Sequence, residues 1–434
     1  MFGFLQSELP ASGYVFYPGA IPPPLEQLSR LREPVVCQPA APSADQVWAA
    51  NVTHPTWGKA QIACLRACPP ASAVLIDHTL ALSDEEKARA RLGRAAVSVH
   101  VQAQQKHVLR DRKRLLFWLR TLMQLDGAVA TDNGSTMYWS QAMLDDELSH
   151  DADLDIESLY TIHAVQASED QTRVDWLHTH GLEELRAFDI DVLQPSRTFV
   201  NNCGDPMRAA AFAALEGSVG PDTPRFALAY PGGDVRLVPV DRFHADASEE
   251  HRRLRDADPV HSGRRAVLCE PAGGLLGRWR SRPAPSRFLS RLEDQGFVVN
   301  FSTAATALMA TRAAQTLRVF TSLKEEFGSL ELPALVKLGF EVDGGGPTER
   351  EHLWFEVHRV VGDKVDATLT NAPHRVPSLT AGQRGEFGLD RLTDWVILSP
   401  EGQMTPRNVS AARRLRTTRA TWQVQIDAAK RGGT

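Results

Sequence analysis

The 434-residue sequence predicts an α+β protein with more than one domain. Three observations carry that expectation. The length exceeds the roughly 250 to 300 residues at which a single hydrophobic core stops growing. The composition, 43% apolar and 23% charged, suits sizeable cores and excludes a mostly disordered or collagen-like chain. Period-two and helical patterns follow one another along the chain in the order expected of an antiparallel or mixed sheet covered by helices. The expected layout is an N-terminal ferredoxin-like domain over 1–197 and an irregular middle region over 198–295. A C-terminal domain over 296–434 follows, in which a long helix precedes a small, strongly bent sheet or barrel.

The first seventy residues are rich in proline, as in Ile21-Pro-Pro-Pro-Leu25 and Cys37-Gln-Pro-Ala-Ala-Pro42. Proline fixes φ and removes a ladder donor, so a single strand near Tyr14–Tyr17 is expected there. Ala73–Ile76 reads as a short strand. Ser83-Asp84-Glu85-Glu86 then supplies an N-cap serine and first-turn acids for a helix to about Leu92. Val97, Val99 and Val101 alternate with polar partners across Ala95–Gln102, the period of a strand with one buried face. Lys106–Leu125 switches to helical spacing, with Val108, Leu115, Leu119 and Leu122 on one face and a solvated basic face opposite.

Gly127–Thr131 and Ser135–Trp139 flank Asp132-Asn133-Gly134, which predicts a hairpin because Asn-Gly accepts the positive φ of a tight turn. A strand at Tyr160–Val165, a helix at Met207–Glu216 and a hairpin of Phe226–Tyr230 with Val235–Val240 come next. The stretch from His251 to Pro285 is rich in Arg, Pro and Gly, and within it Trp279–Pro285 reads as a linker or mobile loop. Its six arginines between Arg264 and Arg287 lack the interleaved aromatics of a nucleic-acid surface. A long helix over Ala304–Glu326 precedes strands at Leu335–Val342, Leu353–Val361, Val365–Leu369, Glu386–Leu389 and Thr393–Leu398.

The formal net charge is −5, from 48 Lys and Arg against 53 Asp and Glu, which gives no global field toward nucleic acid or an anionic membrane. No apolar run approaches the ~20 residues of a membrane span, and the first residues lack a signal-peptide pattern, so a cytoplasmic location is expected. Five dispersed cysteines do not make a disulfide framework, and Cys64-Leu-Arg-Ala-Cys68 is one residue too long for a thioredoxin-type pair. Phosphate-loop and nucleophile-elbow motifs are absent. Asp343-Gly-Gly-Gly-Pro347 and Ala272-Gly-Gly-Leu-Leu-Gly277 read as loops.

The C-terminal third carries an ordered set of short motifs. They are Glu351-His-Leu-Trp-Phe-Glu-Val357, Gly362-Asp363, Leu369-Thr-Asn-Ala-Pro373, Gly382-Gln-Arg-Gly-Glu-Phe387 and Leu392-Thr-Asp-Trp395. With the helix bearing Ala313, Ala314, Leu317 and Phe320, this set resembles the YegJ-like bacterial domain of unknown function 2314, over about Thr303–Gly402. The resemblance implies a small α+β or barrel-like domain with no agreed catalytic role. Asp175-Trp-Leu-His-Thr-His-Gly-Leu182, followed by Phe188-Asp-Ile-Asp-Val192, is similar to a segment of larger bacterial proteins that place the same C-terminal domain behind an uncharacterised α+β domain.

Two constellations are candidates for function. His178-Thr179-His180 puts two imidazoles on one side of an extended backbone, and Asp191 or Asp189 on the next strand supplies a third zinc ligand. The spacing resembles the JAMM-type zinc peptidase pattern. It departs from that pattern at Phe188, where serine is wanted, at Gly181, where proline is usual, and in the base, for which Glu157 is only positionally suited. In that reading the metal lowers the pKa of bound water toward ~7 for hydrolysis. The competing reading has His178 and His180 hydrogen-bonded to backbone or to Asp175.

The second constellation is Asp145, Asp146, Glu147, Asp151, Asp153, Asp155 and Glu157, seven acids in thirteen residues without Lys or Arg. Ile156 and Ile162 stand where an EF-hand needs glycine and glutamate, so calcium binding of that kind is rejected. A negative patch for a basic protein partner is the use that remains, since complementary charge steers encounter. The leading expectation is a non-catalytic bacterial protein-binding protein, an immunity or regulatory protein without cofactor, and the rival is a metal-dependent hydrolase on His178, His180 and Asp191.

Overall fold

A computed structural model describes residues 8–79, 82–104, 107–165, 174–201, 204–230, 233–255, 263–271, 282–290, 298–299, 301–346 and 349–432. The chain forms two compact units. Unit 1 holds Met1–Leu144 and Ile156–Ala305, and unit 2 holds Asp145–Asp155 and Thr306–Thr434.

The first sheet of unit 1 contains β1 (Glu8–Tyr17), β2 (Val36–Ala40), β3 (Gln46–His54), β4 (Gly58–Leu65), β5 (Ala95–Gln104), β6 (Val129–Asp132) and β7 (Tyr138–Trp139). The order is β2-β3-β4-β5-β1-β6-β7, antiparallel at every pairing. A ferredoxin-like layout has four strands in a βαββαβ order, so this seven-stranded arrangement corrects the expectation for 1–197.

The proline-rich start also holds more strand than expected. Pro39 lies on β2, an edge strand, where a missing N–H breaks no ladder, and Pro10 lies beyond the reach of β6. Ala73–His78 is a helix, α1, and not a strand, because Ser72 caps it by accepting from the Leu75 amide at 3.3 Å. Helix α2 (Asp84–Arg91) opens on the expected serine, in a full capping box of Ser83 and Glu86. Helix α3 (Val108–Met123) packs Leu115, Leu119 and Leu122 inward.

The β6–β7 hairpin forms for a different reason than Asn-Gly. Asn133 and Gly134 do not have positive φ; Thr136 does, and the Asp132 carboxylate shapes the turn by accepting from the Gly134 amide at 2.8 Å.

The second sheet holds β8 (Thr161–Val165), β9 (Trp176–His180), β10 (Asp189–Leu193), β11 (Phe226–Tyr230), β12 (Gly233–Pro239), β13 (Arg265–Cys269) and β14 (Val298–Val299), in the order β14-β11-β12-β13-β10-β9-β8. Only the β10–β13 pairing is parallel. Tyr160–Val165 thus belongs to a different sheet from the strands before it. Helix α4 (Gly204–Glu216) buries Met207, Ala210, Ala211 and Phe212. The glycine run at 272–277, residues 279–281 of the Trp279–Pro285 stretch, Cys203 and the first half of the Pro231–Asp234 turn lie outside the described residues.

Unit 2 is built on an open six-stranded antiparallel sheet and not a closed barrel. Its strands are β15 (Ala334–Glu341), β16 (Arg350–Val361), β17 (Lys364–Leu369), β18 (Arg384–Gly388), β19 (Leu392–Ser399) and β20 (Gly402–Met404), ordered β18-β17-β16-β15-β19-β20. The helical run expected over Ala304–Glu326 is two helices, α5 (Thr303–Gln315) and α6 (Leu317–Glu326). Thr316 separates them: its hydroxyl donates back to the Arg312 carbonyl at 2.8 Å and accepts the Trp395 indole N–H at 3.0 Å. A C-terminal helix, α7 (Ser410–Gly432), was not expected. Phe320, Leu323, Ala411 and Leu415 join Val336, Leu338, Phe355 and Trp395 in one core on one face of the sheet.

The opposite face carries Lys337, Gly339, His352 and Trp354, which alternate with the core residues. Burial first, then the charges of Lys337 and Arg350, push the His352 imidazole down from 6.5 to about 4. Unfolded, it takes a proton near pH 6.5; folded, it resists until about pH 4. Between those values the unfolded chain binds more protons, so stability falls as pH drops, by roughly 2 to 3 kcal/mol at the bottom of the window. Urea unfolding at pH 7 and pH 4.5 checks this: His352→Gln is expected to show a smaller loss on acidification than the parent chain.

Candidate functional site

The candidate metal residues lie on three adjacent strands of the second sheet. In register, His163 on β8 faces His178 on β9, and His178 faces Asp191 on β10. The His163 and His178 rings are edge-to-face with centroids 5.2 Å apart, and the His163 and His180 rings are stacked at 5.8 Å. Trp176 packs on His178 at 4.4 Å. The Thr161 hydroxyl donates to the Ser135 carbonyl at 2.7 Å and lies 3.0 Å from His163 Nε2. One hydroxyl has one proton, so Nε2 donates to it.

Asp191 is fully buried and belongs to arginine. Its Oδ2 accepts from Arg255 Nε at 2.8 Å, and its Oδ1 from Arg265 Nη2 at 2.6 Å and Nε at 3.1 Å. Arg255 also stacks on the Trp176 ring at 4.1 Å. Asp189 accepts from the Thr179 hydroxyl at 2.9 Å and the Leu182 amide at 3.2 Å, with Arg265 Nη1 3.6 Å away. Burial pushes the Asp189 carboxyl up, against Arg265, which pulls it down.

Two carboxylates and two guanidinium groups therefore form a charge-balanced buried cluster. A metal at His178 and Asp191 would displace these ion pairs and face two cations at short range in a low-dielectric interior. Among the described residues, no group of three or more His, Cys, Asp and Glu side chains is placed to hold a metal ion. The set His178, His180 and Asp191 is thus brought together without being arranged as a ligand sphere. Glu157, considered as a base, pairs with Arg208 at 3.3 Å.

The motif's Gly181 has a conformational role. It takes φ +123°, and a Cβ there would stand 2.6 Å from the Leu159 carbonyl oxygen.

The acidic stretch divides sharply. Glu147 is buried and accepts two bonds from Arg312 Nη2, at 3.0 and 3.1 Å. The same guanidinium donates from Nη1 to the Asp153 carbonyl at 2.5 Å and from Nε to the Pro406 carbonyl at 3.0 Å. Asp146 pairs with Arg413. Asp155 is buried. Glu147 and Asp155 are therefore internal groups, which corrects their assignment to a partner surface, while Asp146 and Glu157 are half-buried and paired with Arg413 and Arg208.

Asp145, Asp151 and Asp153 remain exposed. Asp151 and Asp153 alternate with buried Ala152 and Leu154, the period of an extended segment that turns its acids outward. Arg312 was missed by sequence reasoning. Its signal is a lone charge in the alanine-rich helix Thr303–Gln315, which needs a buried partner.

Two family models match parts of the chain. Residues 162–245 match the C-terminal part of a protein family of unknown function, DUF4026. Residues 305–413 match DUF2314, an uncharacterised protein conserved in bacteria. The histidine row lies in the DUF4026 match. The DUF2314 match takes in Arg312, Arg413 and the whole six-stranded sheet, whereas the acidic stretch precedes it. No curated protein and no solved structure matches the chain. No helix among the described residues is long and apolar enough to cross a membrane.

Proposed function

We propose that the chain is a cytoplasmic, non-catalytic protein-binding protein, an immunity or regulatory protein that holds a basic partner on Asp145, Asp151 and Asp153. The observation that carries this reading is the Arg312 bridge. One buried guanidinium grips the Glu147 carboxylate and the Asp153 carbonyl, the two ends of a short loop, and so orders the acids between and beside them. Ordering before binding removes a cost of about 0.5 to 1.5 kcal/mol for each side chain that would otherwise be immobilised on association. Exposed like charges on an ordered segment steer a cationic partner and set its orientation.

The hydrolase reading draws on the meeting of His178 with Asp191, but there the carboxylate is committed to Arg255 and Arg265. The two readings separate by experiment. A fluorescein-labelled Lys-Gly decapeptide, titrated with the full chain at low salt, is expected to bind and to weaken at least fivefold in the Asp151→Asn, Asp153→Asn double variant. Equal affinity in the variant contradicts the proposal. Zinc analysis of the purified chain is expected to find well under one ion per molecule; one tightly held zinc, lost in the His178→Ala, His180→Ala variant, favours the hydrolase.

A further inference from the structure

The face of the unit 2 sheet opposite its core gathers three half-buried polar groups of complementary kinds. Lys337 and Trp354 are directly opposed on β15 and β16, and so are Gly339 and His352 two residues along. The Lys337 ammonium sits 5.4 Å from the Trp354 ring centroid. Its other cross-strand neighbour, Asp394, instead accepts from the Trp395 amide at 2.9 Å and pairs with Arg407 at 3.3 Å. Among the described residues, Lys337 has no carboxylate within ion-pair distance.

His352 is held as a hydrogen-bond acceptor. The Thr393 hydroxyl donates to the Lys337 carbonyl at 3.1 Å, so it accepts from His352 Nδ1, also at 3.1 Å. Nδ1 therefore carries the proton, and Nε2 presents a lone pair. Gly339 makes room for the ring: a Cβ there would stand 3.2 Å from the imidazole. Burial, helped by the charges of Lys337 and Arg350, keeps the ring neutral at ordinary pH. Neither His352 Nε2 nor the Trp354 indole N–H has a hydrogen-bond partner among the described residues.

We infer that this face binds an acidic peptide segment of a partner protein. The acidic side chain pairs with Lys337, a peptide N–H of the segment donates to His352 Nε2, and a peptide carbonyl accepts from the Trp354 indole. A peptide supplies this combination of donor, acceptor and anion within two residues, and the patch offers the complement of each. The surface shares no residue with the exposed acids Asp145, Asp151 and Asp153. Glu341, which pairs with Arg350, and Glu356, opposite Leu335, mark its acidic limits.

The test uses the full chain and a fluorescein-labelled Glu-Gly decapeptide, read by fluorescence anisotropy at low salt. Binding is expected, weakened at least tenfold by Lys337→Gln and at least threefold by Trp354→Phe, and unchanged by Asp151→Asn with Asp153→Asn. The last result separates this inference from the proposed function, whose probe is cationic. His352 is neutral throughout, so affinity is expected to be flat between pH 5.5 and 8. No binding of the probe, equal affinity in both sheet variants, or affinity rising steeply below pH 6.5 overturns the inference. Self-association of the chain that Lys337→Gln abolishes, with no binding of the probe, overturns it in favour of a second copy.

Discussion

Asp191→Ala is expected to lower the stability of the chain by about 3 to 5 kcal/mol, the range for removing one partner of a buried ion pair. The carboxylate is fully buried and receives three bonds from two guanidinium groups, themselves nearly buried. Its loss leaves two cations in the interior with half of their balancing charge. An exposed pair gives the contrast. Glu249 and Arg253 are about 70% exposed, and breaking that pair by Glu249→Gln is expected to change stability by no more than about 0.5 kcal/mol. Urea unfolding followed by circular dichroism measures both. A loss below about 1 kcal/mol for Asp191→Ala contradicts the clamp.

Arg312→Met is expected to cost a similar 3 to 5 kcal/mol, about the penalty of stranding a buried carboxylate. The mechanism predicts a recovery as well. Adding Glu147→Leu removes the stranded charge, and the double variant is expected to regain much of the loss, because an apolar pair in place of a buried ion pair is often neutral. Additive losses in the two variants contradict direct coupling between the side chains.

The local elements were legible because their signals are local. Ser83 and Glu86 sit three apart and cap α2, and Val97, Val99 and Val101 mark β5 by alternation. The strands of unit 2 follow the same period of two. Elements were missed where the signal is thin or is overruled. In α7 the inward residues Leu415, Trp422 and Ile426 make a narrow stripe in an otherwise polar, arginine-rich run. Proline suggested loops at the start, but its place on an edge strand lets β2 form.

The candidate site was legible only in its parts. Alternation placed His178 and His180 on one side of a strand, yet nothing near Asp191 announces Arg265, 74 positions away. Glu147 and Arg312 are 165 positions apart, so the acidic run looked uniformly solvated until the fold showed which acids meet arginine. Charge pairing over such distances follows from topology, and topology from the sum of many weak local preferences.

The ordered acidic loop is the centre of the account, and Arg312→Lys tests it most directly. Lysine keeps the positive charge beside Glu147, so the net charge is unchanged, but one ammonium lacks the forked geometry that reaches Glu147, Asp153 and Pro406 together. The measurement is the affinity of the Lys-Gly decapeptide for the lysine variant and the parent chain, at a temperature where both are folded. Weaker binding by the variant, several-fold and without loss of any acid, is the result predicted. Equal affinity would contradict the claim that this arginine prepares the surface for its partner.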